Sequence, residues 1–252
     1  MSGTGVTLDG LPGAVLARRW GVPGCRLGLE VGSVLDTAHA LGGEGAPAGT
    51  VVMADVQTAG RGRNGRTWYS PAGGVWLALL LRPHTAGLGV MAIRAGLVVA
   101  DVVDELLGAS RATIKWPNDV LLSDRKLAGV LCEGRWQGDT LQWLAVGIGV
   151  NVTNEIPPEL RGSAIALREL LPGVRRLDVL DRLVPPLGRL GAGGERLSEG
   201  ECAAFAARDW LRDRMLLAPA AGRAAGVRPD GALMVQGVEG MRPVREGHVE
   251  VA

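Results

Sequence analysis

The pattern of apolar and polar residues predicts a fold that mixes helices with strands. Apolar runs at residues 50–56 and 75–81 predict two strands, and the unbroken apolar character of the second indicates burial on both faces. The clearest helix is predicted at residues 89–107, because its apolar residues recur at helical spacing. The polar side of this helix is formed by Arg94, Asp101, Asp104 and Glu105. We therefore expect a sheet covered by helices.

Further elements follow from the same patterns. A strand is expected at residues 114–116, ended by Pro117, and a hairpin is expected across a turn at residues 123–125. Other strands are predicted at 120–122, 126–133 and 141–152, and other helices at 32–41, 163–171, 178–190 and 198–211. Pro185 and Pro186 should interrupt the third of these helices. Short β runs and turns after residue 216 predict a small C-terminal β domain.

Residues 60–66, here called the arginine loop, read G-R-G-R-N-G-R between two predicted strands. Arginines at 61, 63 and 66 carry permanent charge, and the intervening glycines allow the backbone to approach a ligand, so the loop is suited to an anion. Its G-x-G-x-x-G spacing also matches a dinucleotide fingerprint, but residues 67–74 cannot open the helix which that site needs. A solvated basic turn without a ligand remains an alternative. We expect the loop to be mobile until an anion binds.

A second candidate segment reads K-W-P-N-D at residues 115–119 and R-K-L-A-G-V-L-C-E at residues 125–133. Lys126 opens a predicted strand, so its ammonium group can point into a cleft. An ordinary solvated lysine at a strand end is the alternative. Asn118 and Asp119 follow a proline and could equally cap a turn.

Together these segments resemble the catalytic module of biotin protein ligases. That family carries G-R-G-R-x-G-R, an aromatic residue with S-P, K-W-P-N-D, R-K-L-x-G-[IV]-L-x-E and G-[IV]-G-x-N in this order, and the chain has each motif from residue 60 to residue 151. The resemblance implies an α+β fold with a mixed sheet flanked by helices, as in class II synthetases, and a small C-terminal β-barrel-like domain. The implied domains are residues 1–212, catalytic, and residues 213–252.

The resemblance also implies a reaction and its residues. Biotin would be activated with ATP and Mg²⁺ to biotinyl-5′-AMP, and biotin would then pass to a lysine of a biotin carboxyl carrier protein, a subunit of acetyl-CoA carboxylase. The implied catalytic residues are Lys126, Arg61, Arg63 and Asp119, with Asp119 also the Mg²⁺ ligand. Biotin would contact Ser33, Gln57, Arg61, Gly62, Arg63, Lys126, Gly129, Gly147 and Gly149. The nucleotide would contact Arg63, Arg66, Trp68, Asn118, Asp119 and Asn151. Trp68 could instead be core packing behind the loop.

The chain departs from the family pattern at the predicted biotin site. Relatives carry Ser-Thr-Asn where this chain has Ser33, Val34 and Leu35, so a hydroxyl and an amide are missing. A lost hydrogen bond to a buried polar ligand atom costs about 1–3 kcal/mol. Asn64, where many relatives carry arginine, is a milder departure. Val34 and Leu35 leave open a related ligase or transferase that acts on lipoate or octanoate.

Composition and charge bear on the remaining questions of nucleic-acid binding, cellular compartment and partners. The net charge of +1 gives no general nucleic-acid signature, although a nucleic-acid-binding module that uses the arginine loop is a distant alternative. The three cysteines are widely spaced, which favours reduced thiols in the cytoplasm, and we expect neither a leader nor a membrane span. About 28 residues precede the resemblance, too few for the DNA-binding domain of some relatives, so a DNA partner is not expected. Relatives include monomers and dimers, and a homodimer is one of the two expected states.

Overall fold

The structure, a computed structural model, describes residues 5–82 and 87–252. A two-stranded hairpin, β1 (Thr7–Leu8) and β2 (Leu11–Pro12), precedes a seven-stranded mixed sheet in the order β3-β4-β5-β9-β8-β7-β6. Its strands are β3 (Cys25–Val31), β4 (Val51–Gln57), β5 (Val75–Leu81), β6 (Ala112–Lys115), β7 (Asp119–Leu122), β8 (Arg125–Gln137) and β9 (Thr140–Val150). Strands β3 and β4 are parallel, and every other neighbouring pair is antiparallel. This sheet confirms the predicted mixed topology.

Helices cover the two faces of the sheet unequally. The helices are α1 (Gly13–Trp20), α2 (Val34–Gly43), α3 (Leu88–Leu107), α4 (Arg176–Leu187) and α5 (Glu199–Arg208). Alternate residues of β5, from Val75 to Leu81, enter the large core that includes α3 and α4, whereas Trp76 and Ala78 enter a smaller core with α2. Because α2 has only ten residues, it leaves part of its face of the sheet open. The candidate site lies in this opening.

A second, five-stranded antiparallel sheet follows in the order β13-β12-β11-β10-β14. Its strands are β10 (Met215–Ala218), β11 (Gly222–Val227), β12 (Leu233–Gly237), β13 (Gly240–Val244) and β14 (Glu250–Val251). The indole nitrogen of Trp116 donates to the Gly231 carbonyl at 2.9 Å, which ties this sheet to the end of β6. The structure thus contains the small C-terminal β component that the sequence predicts.

Several local predictions are confirmed. Strand β5 has the predicted bounds and is buried along its whole length. The β7–β8 hairpin is also confirmed, but its turn is one residue shorter than predicted: Leu122 pairs with Arg125, so Ser123 and Asp124 alone form the turn. Both turn residues have positive φ, 52° and 60°, as the tightest hairpin turns require.

Three local predictions are wrong. Residues 163–171 form only a short 3₁₀ turn, because Ile165 donates to the Lys126 carbonyl and the Lys126 N–H donates to Ser163, which holds this segment extended beside β8. Pro185 and Pro186 do not interrupt α4, since they lie in its last turn and the helix ends at Leu187. Arg94 is buried, not on a solvated face, because Glu201 neutralises its guanidinium and two backbone carbonyls accept its other N–H groups.

Candidate functional site

The predicted site residues, Asn151 excepted, line one pocket above the open part of the seven-stranded sheet. Its floor is a row of opposed residues that crosses three strand pairs: Gly149, Gly129, Asp119 and Lys115. Directly opposed residues of antiparallel strands point to the same face. The two glycines therefore make the centre of the floor flat, and two charged side chains stand at one end of the row.

Side chains lie directly on the glycine floor. A Cβ atom at Gly149 would sit 2.5 Å from the indole nitrogen of Trp68, and one at Gly147 would sit 3.0 Å from Leu35. Any larger residue at either position would displace these side chains. The Trp68 ring also meets Trp76 edge to face, and its buried N–H has no hydrogen-bond partner in the described residues.

The arginine loop closes the pocket from above as a tight hairpin. Its base is held by backbone bridges between Gln57 and Ser70 and between Arg61 and Thr67. At the tip, the Gly62 N–H donates to the Arg66 carbonyl at 2.7 Å. Asn64 has a φ of 57°, a conformation which asparagine tolerates better than arginine does. Asparagine therefore suits the backbone conformation at this position.

Arg61 anchors the loop through carboxylates. Two of its nitrogens donate to the two oxygens of Glu133, each at 2.9 Å, and a third lies 2.9 Å from Asp36. Glu133 also bonds His39 Nε2 at 3.1 Å, and His39 Nδ1 accepts from the Trp143 indole at 3.0 Å. The hydrogen bonds from Arg61 and His39 lower the pKa of Glu133 to about 2, and the Glu133 hydrogen bond raises the pKa of Arg61. Arg61 is thus already neutralised within the protein.

The other basic residues of the pocket differ in their pairing. Lys126 Nζ lies 2.7 Å from Asp119 and 4.9 Å from the centre of the Trp68 ring, so the ammonium stands between a carboxylate and an aromatic face. Arg63 and Arg66 form no salt bridge within residues 5–82 and 87–252. Burial lowers the pKa of Arg63, and the negative charges of Asp119 and Glu246 partly oppose this shift. Arg63 is therefore a half-buried cation that lines the pocket.

The polar residues predicted to bind substrate also have structural hydrogen bonds. Ser33 Oγ accepts from the Leu35 N–H as the N-cap of α2, and Gln57 accepts from the Val34 N–H while donating to Ser70. The Asn118 side chain donates to the Val130 carbonyl at 2.6 Å, which fixes the start of β7 against β8.

Asn151 is set apart from the other predicted site residues. Its side chain accepts from Asn154 and lines an adjoining cavity, which shares Trp68, Asp119 and Lys126 with the main pocket.

Sequence reasoning missed several residues of the site. Lys115 lines the pocket at the end of β6, and its position in the K-W-P-N-D motif was a signal for it. Glu133 ends the R-K-L motif, and its spacing of two from Leu131, which places it on the pocket face, was the signal for it. His248 enters from the C-terminal sheet, and no motif in the sequence marks it.

A magnesium site made of protein ligands alone is not present in the described residues. No group of three or more histidine, cysteine, aspartate or glutamate side chains is arranged to hold a metal there. Asp119, the predicted ligand, is a single carboxylate already paired with Lys126. Mg²⁺ usually binds through one or two carboxylates together with substrate phosphates and water, and Asp119 fits this kind of participation. In the same parts of the chain, no helix has both the length and the apolar composition needed to cross a bilayer.

Comparisons with known proteins agree with the geometry. The sequence pattern of the Biotin/lipoate A/B protein ligase family matches residues 34–151. The chain is 31% identical over 234 residues to the bifunctional ligase/repressor BirA of Bacillus subtilis (strain 168), a match that covers 87% of this chain and 71% of that protein. It is 46% identical over 104 residues to the biotin–[acetyl-CoA-carboxylase] ligase of Paracoccus denitrificans, which covers 40% of this chain and 43% of the relative.

A solved structure extends this similarity to the fold. The biotin protein ligase of Aquifex aeolicus, in complex with biotin and ATP, superposes with a TM-score of 0.73 at 28% identity, covering 90% of this chain and 98% of that one. The fold is therefore shared along most of both chains. The chain belongs to the biotin/lipoate A/B protein ligase family and is a ligase of the biotin protein ligase kind.

Proposed function

We propose that the protein activates biotin with ATP to biotinyl-5′-AMP and transfers biotin to a lysine of a biotin carboxyl carrier protein. The observation that carries this proposal is the pairing of Lys126 with Asp119 at 2.7 Å beside a flat glycine floor, with the arginine loop above it. A carboxylate is a poor electrophile, so its oxygen must first attack the α-phosphorus of ATP and displace pyrophosphate. The carrier amine then attacks the acyl carbonyl and AMP leaves.

Lys126 is the proposed catalytic cation of both steps. It would hold the nucleophilic carboxylate oxygen against the α-phosphate and later polarise the acyl carbonyl, because both steps build negative charge on oxygen. Asp119 would orient the ammonium group and, when ATP arrives as its magnesium complex, would contribute one ligand to Mg²⁺. Asn118 would support Asp119 from the start of β7.

The loop residues divide into two proposed roles. Arg61 would anchor the closed loop through Glu133, with a secondary contact to biotin, while Arg63 and Arg66 would meet the phosphates because they are free of carboxylate partners in the described residues. Biotin would lie along Gly129, Gly147 and Gly149, which requires the Trp68 ring to shift or to pack against the ligand. Gly62, Ser33 and Gln57 would complete the biotin contacts, and Asn151 would reach the nucleotide from the adjoining cavity.

A second candidate substrate is an apolar acid such as lipoate or octanoate. It is favoured by one observation: Leu35 is buried and packs over Gly147, so this end of the pocket is more apolar than a ureido ring requires. A nucleic-acid role has less support, since Arg61 is paired with carboxylates and Arg63 turns into the pocket.

The two proposed domains have different roles. Residues 1–212 would form the catalytic domain and residues 213–252 a β domain that closes over the nucleotide. We further propose a cytoplasmic enzyme whose macromolecular partner is the carrier protein rather than DNA, with a homodimer as one of two expected states.

ATP–pyrophosphate exchange with a panel of acids tests the proposal. We expect exchange that depends on biotin and is at least tenfold slower with lipoate or octanoate, the factor that about 1.4 kcal/mol of discrimination supplies. Faster exchange with lipoate or octanoate than with biotin would show that biotin is not the preferred substrate.

A further inference from the structure

Three basic side chains from separate parts of the fold meet at one side of the pocket. Arg66 comes from the arginine loop, Lys115 from the end of β6, and His248 from the segment between β13 and β14. Within the described part of the chain none of them has a salt bridge, and the Lys115 ammonium rests 5.2 Å from the centre of the Trp210 ring. Asp119, which lies directly opposite Lys115 on the neighbouring strand β7, is paired with Lys126. The cluster is therefore short of negative charge.

The charge balance of the whole pocket supports this conclusion. Five arginine and lysine side chains line it. Arg61 is neutralised by Glu133 and Asp36, so the other four are opposed, among the lining residues, by the single carboxylate of Asp119. Burial lowers the pKa of Lys115, and Lys126, Arg66 and Arg214 lower it further by repulsion, which Asp119 only partly offsets. Like charges held together in a partly desolvated site are favourable only when a polyanion is bound.

The position of His248 is set by the fold and not by a freely moving chain end. Gly247 has a φ of 127°, and a Cβ atom there would lie 2.7 Å from Pro219, so the residue before His248 packs closely. Val249, the residue after it, is buried in the large core. The backbone is thus fixed on both sides, while the imidazole itself remains exposed toward the pocket mouth.

We propose that His248 is a polyphosphate-binding residue contributed by the C-terminal sheet, which joins Arg66 and Lys115 around the pyrophosphate portion of ATP and takes up a proton when that anion binds. This inference rests on ATP being the substrate, as proposed above. It makes the C-terminal sheet part of the active site.

The groups around His248 determine the pH dependence. Burial, then Arg66 and Lys115, lower the pKa of His248, while Glu250 and Asp119 raise it. The free imidazole is therefore largely neutral at neutral pH. A bound polyphosphate favours the charged form, so anion affinity is highest in acid and falls as pH rises through the pKa of the complex.

Isothermal titration with inorganic pyrophosphate at about pH 6 and about pH 8 tests the proposal. His248→Ala should weaken binding about tenfold at the lower pH, the value of one charge-assisted hydrogen bond, and much less at the higher pH. The lysine of His248→Lys is charged at both pH values, so this variant should bind pyrophosphate more tightly than His248→Ala at both. Comparing variants at one pH cancels the ionisation of pyrophosphate itself. Wild type should also take up more protons on binding than His248→Ala does, measured in two buffers of different ionisation enthalpy.

Arg245→Ala is the matched control, because Arg245 lies on the same segment but pairs with Asp230 at 2.8 Å. It should bind pyrophosphate as wild type does. Equal affinity of wild type and His248→Ala at both pH values, with unchanged thermal unfolding, would overturn the role of His248. That result is distinct from failure of the proposed function, which would appear as absence of biotin-dependent exchange in wild type.

Discussion

Glu133 should control whether the arginine loop stays closed. Its two oxygens accept three hydrogen bonds from charged or polar donors, two from Arg61 and one from His39. Glu133→Gln keeps the shape but removes the charge and turns an amide N–H toward the guanidinium. A hydrogen bond to a charged group contributes about 1.5–3 kcal/mol. Since about 1.4 kcal/mol is tenfold, the closed loop should become about ten- to a hundredfold less favoured.

Limited trypsin digestion measures this change. Trypsin cleaves after arginine, so the Glu133→Gln loop should be cut faster than the wild-type loop, and biotin with ATP should protect wild type more strongly than the variant. Asp36→Asn is the matched control: Asp36 also pairs with Arg61 but its side chain is 64% exposed, so its loss should cost less than about 1 kcal/mol. Equal cleavage of wild type and Glu133→Gln would refute the anchoring role.

The pairing of Glu133 with Arg61 also predicts how the stability of the fold depends on pH. The pKa of Glu133 is lowered from 4.5 to about 2 by Arg61 and His39, so its stabilising contribution is fully present above the unfolded-state value and is lost as pH falls toward the folded-state value. Wild type should therefore lose its stability advantage over Glu133→Gln between about pH 4.5 and about pH 2. Urea unfolding at several pH values measures the difference. Parallel loss in the two proteins would show that Glu133 is not preferentially ionised in the fold.

Three further predictions concern the pocket. Lys126→Ala should raise the transition-state free energy of adenylate formation by about 2.7–4 kcal/mol, because a preorganised cation is lost, and should leave thermal unfolding unchanged. A rate of ATP–pyrophosphate exchange within a few-fold of wild type would show that Lys126 has no role in the reaction. Arg63→Gly should still form biotinyl-5′-AMP but release it, since the loop shields the reactive anhydride from stray amines. Biotin incorporation into added albumin reports this release, and labelling no greater than with wild type would contradict it. Leu35→Asn should strengthen biotin binding by about 1–3 kcal/mol if its amide reaches the ureido group, and calorimetry showing unchanged or weaker binding would exclude that contact.

Local patterns were sufficient where neighbouring residues decide the structure. Strand β5, helix α3 and the β7–β8 hairpin each follow from periodicity and turn chemistry within a short window. The helix expected at residues 163–171 was wrong because a long-range backbone pairing with Lys126 outweighs local helical preference. Arg94 was misplaced for a similar reason: its neutralising partner, Glu201, lies on another helix.

The site shows the same division between local and long-range information. The glycine floor, the arginine loop and Lys126 could be predicted because motifs mark them. The pairing of Arg61 with Glu133 required the register of β8, and the entry of His248 required the packing of the C-terminal sheet against the pocket. Neither contact can be predicted from the spacing of residues in a single sequence.

Transfer of biotin to a carrier protein tests the central claim most directly. Purified protein would be incubated with biotin, ATP, magnesium and a biotin carboxyl carrier protein, and the carrier would be analysed by intact mass and peptide mapping. We predict a single biotin on a single lysine, dependent on ATP, absent with Lys126→Ala and absent when that carrier lysine is replaced by arginine. An unmodified carrier after incubation with folded wild-type protein, or modification by lipoate or octanoate in preference to biotin, would contradict the account.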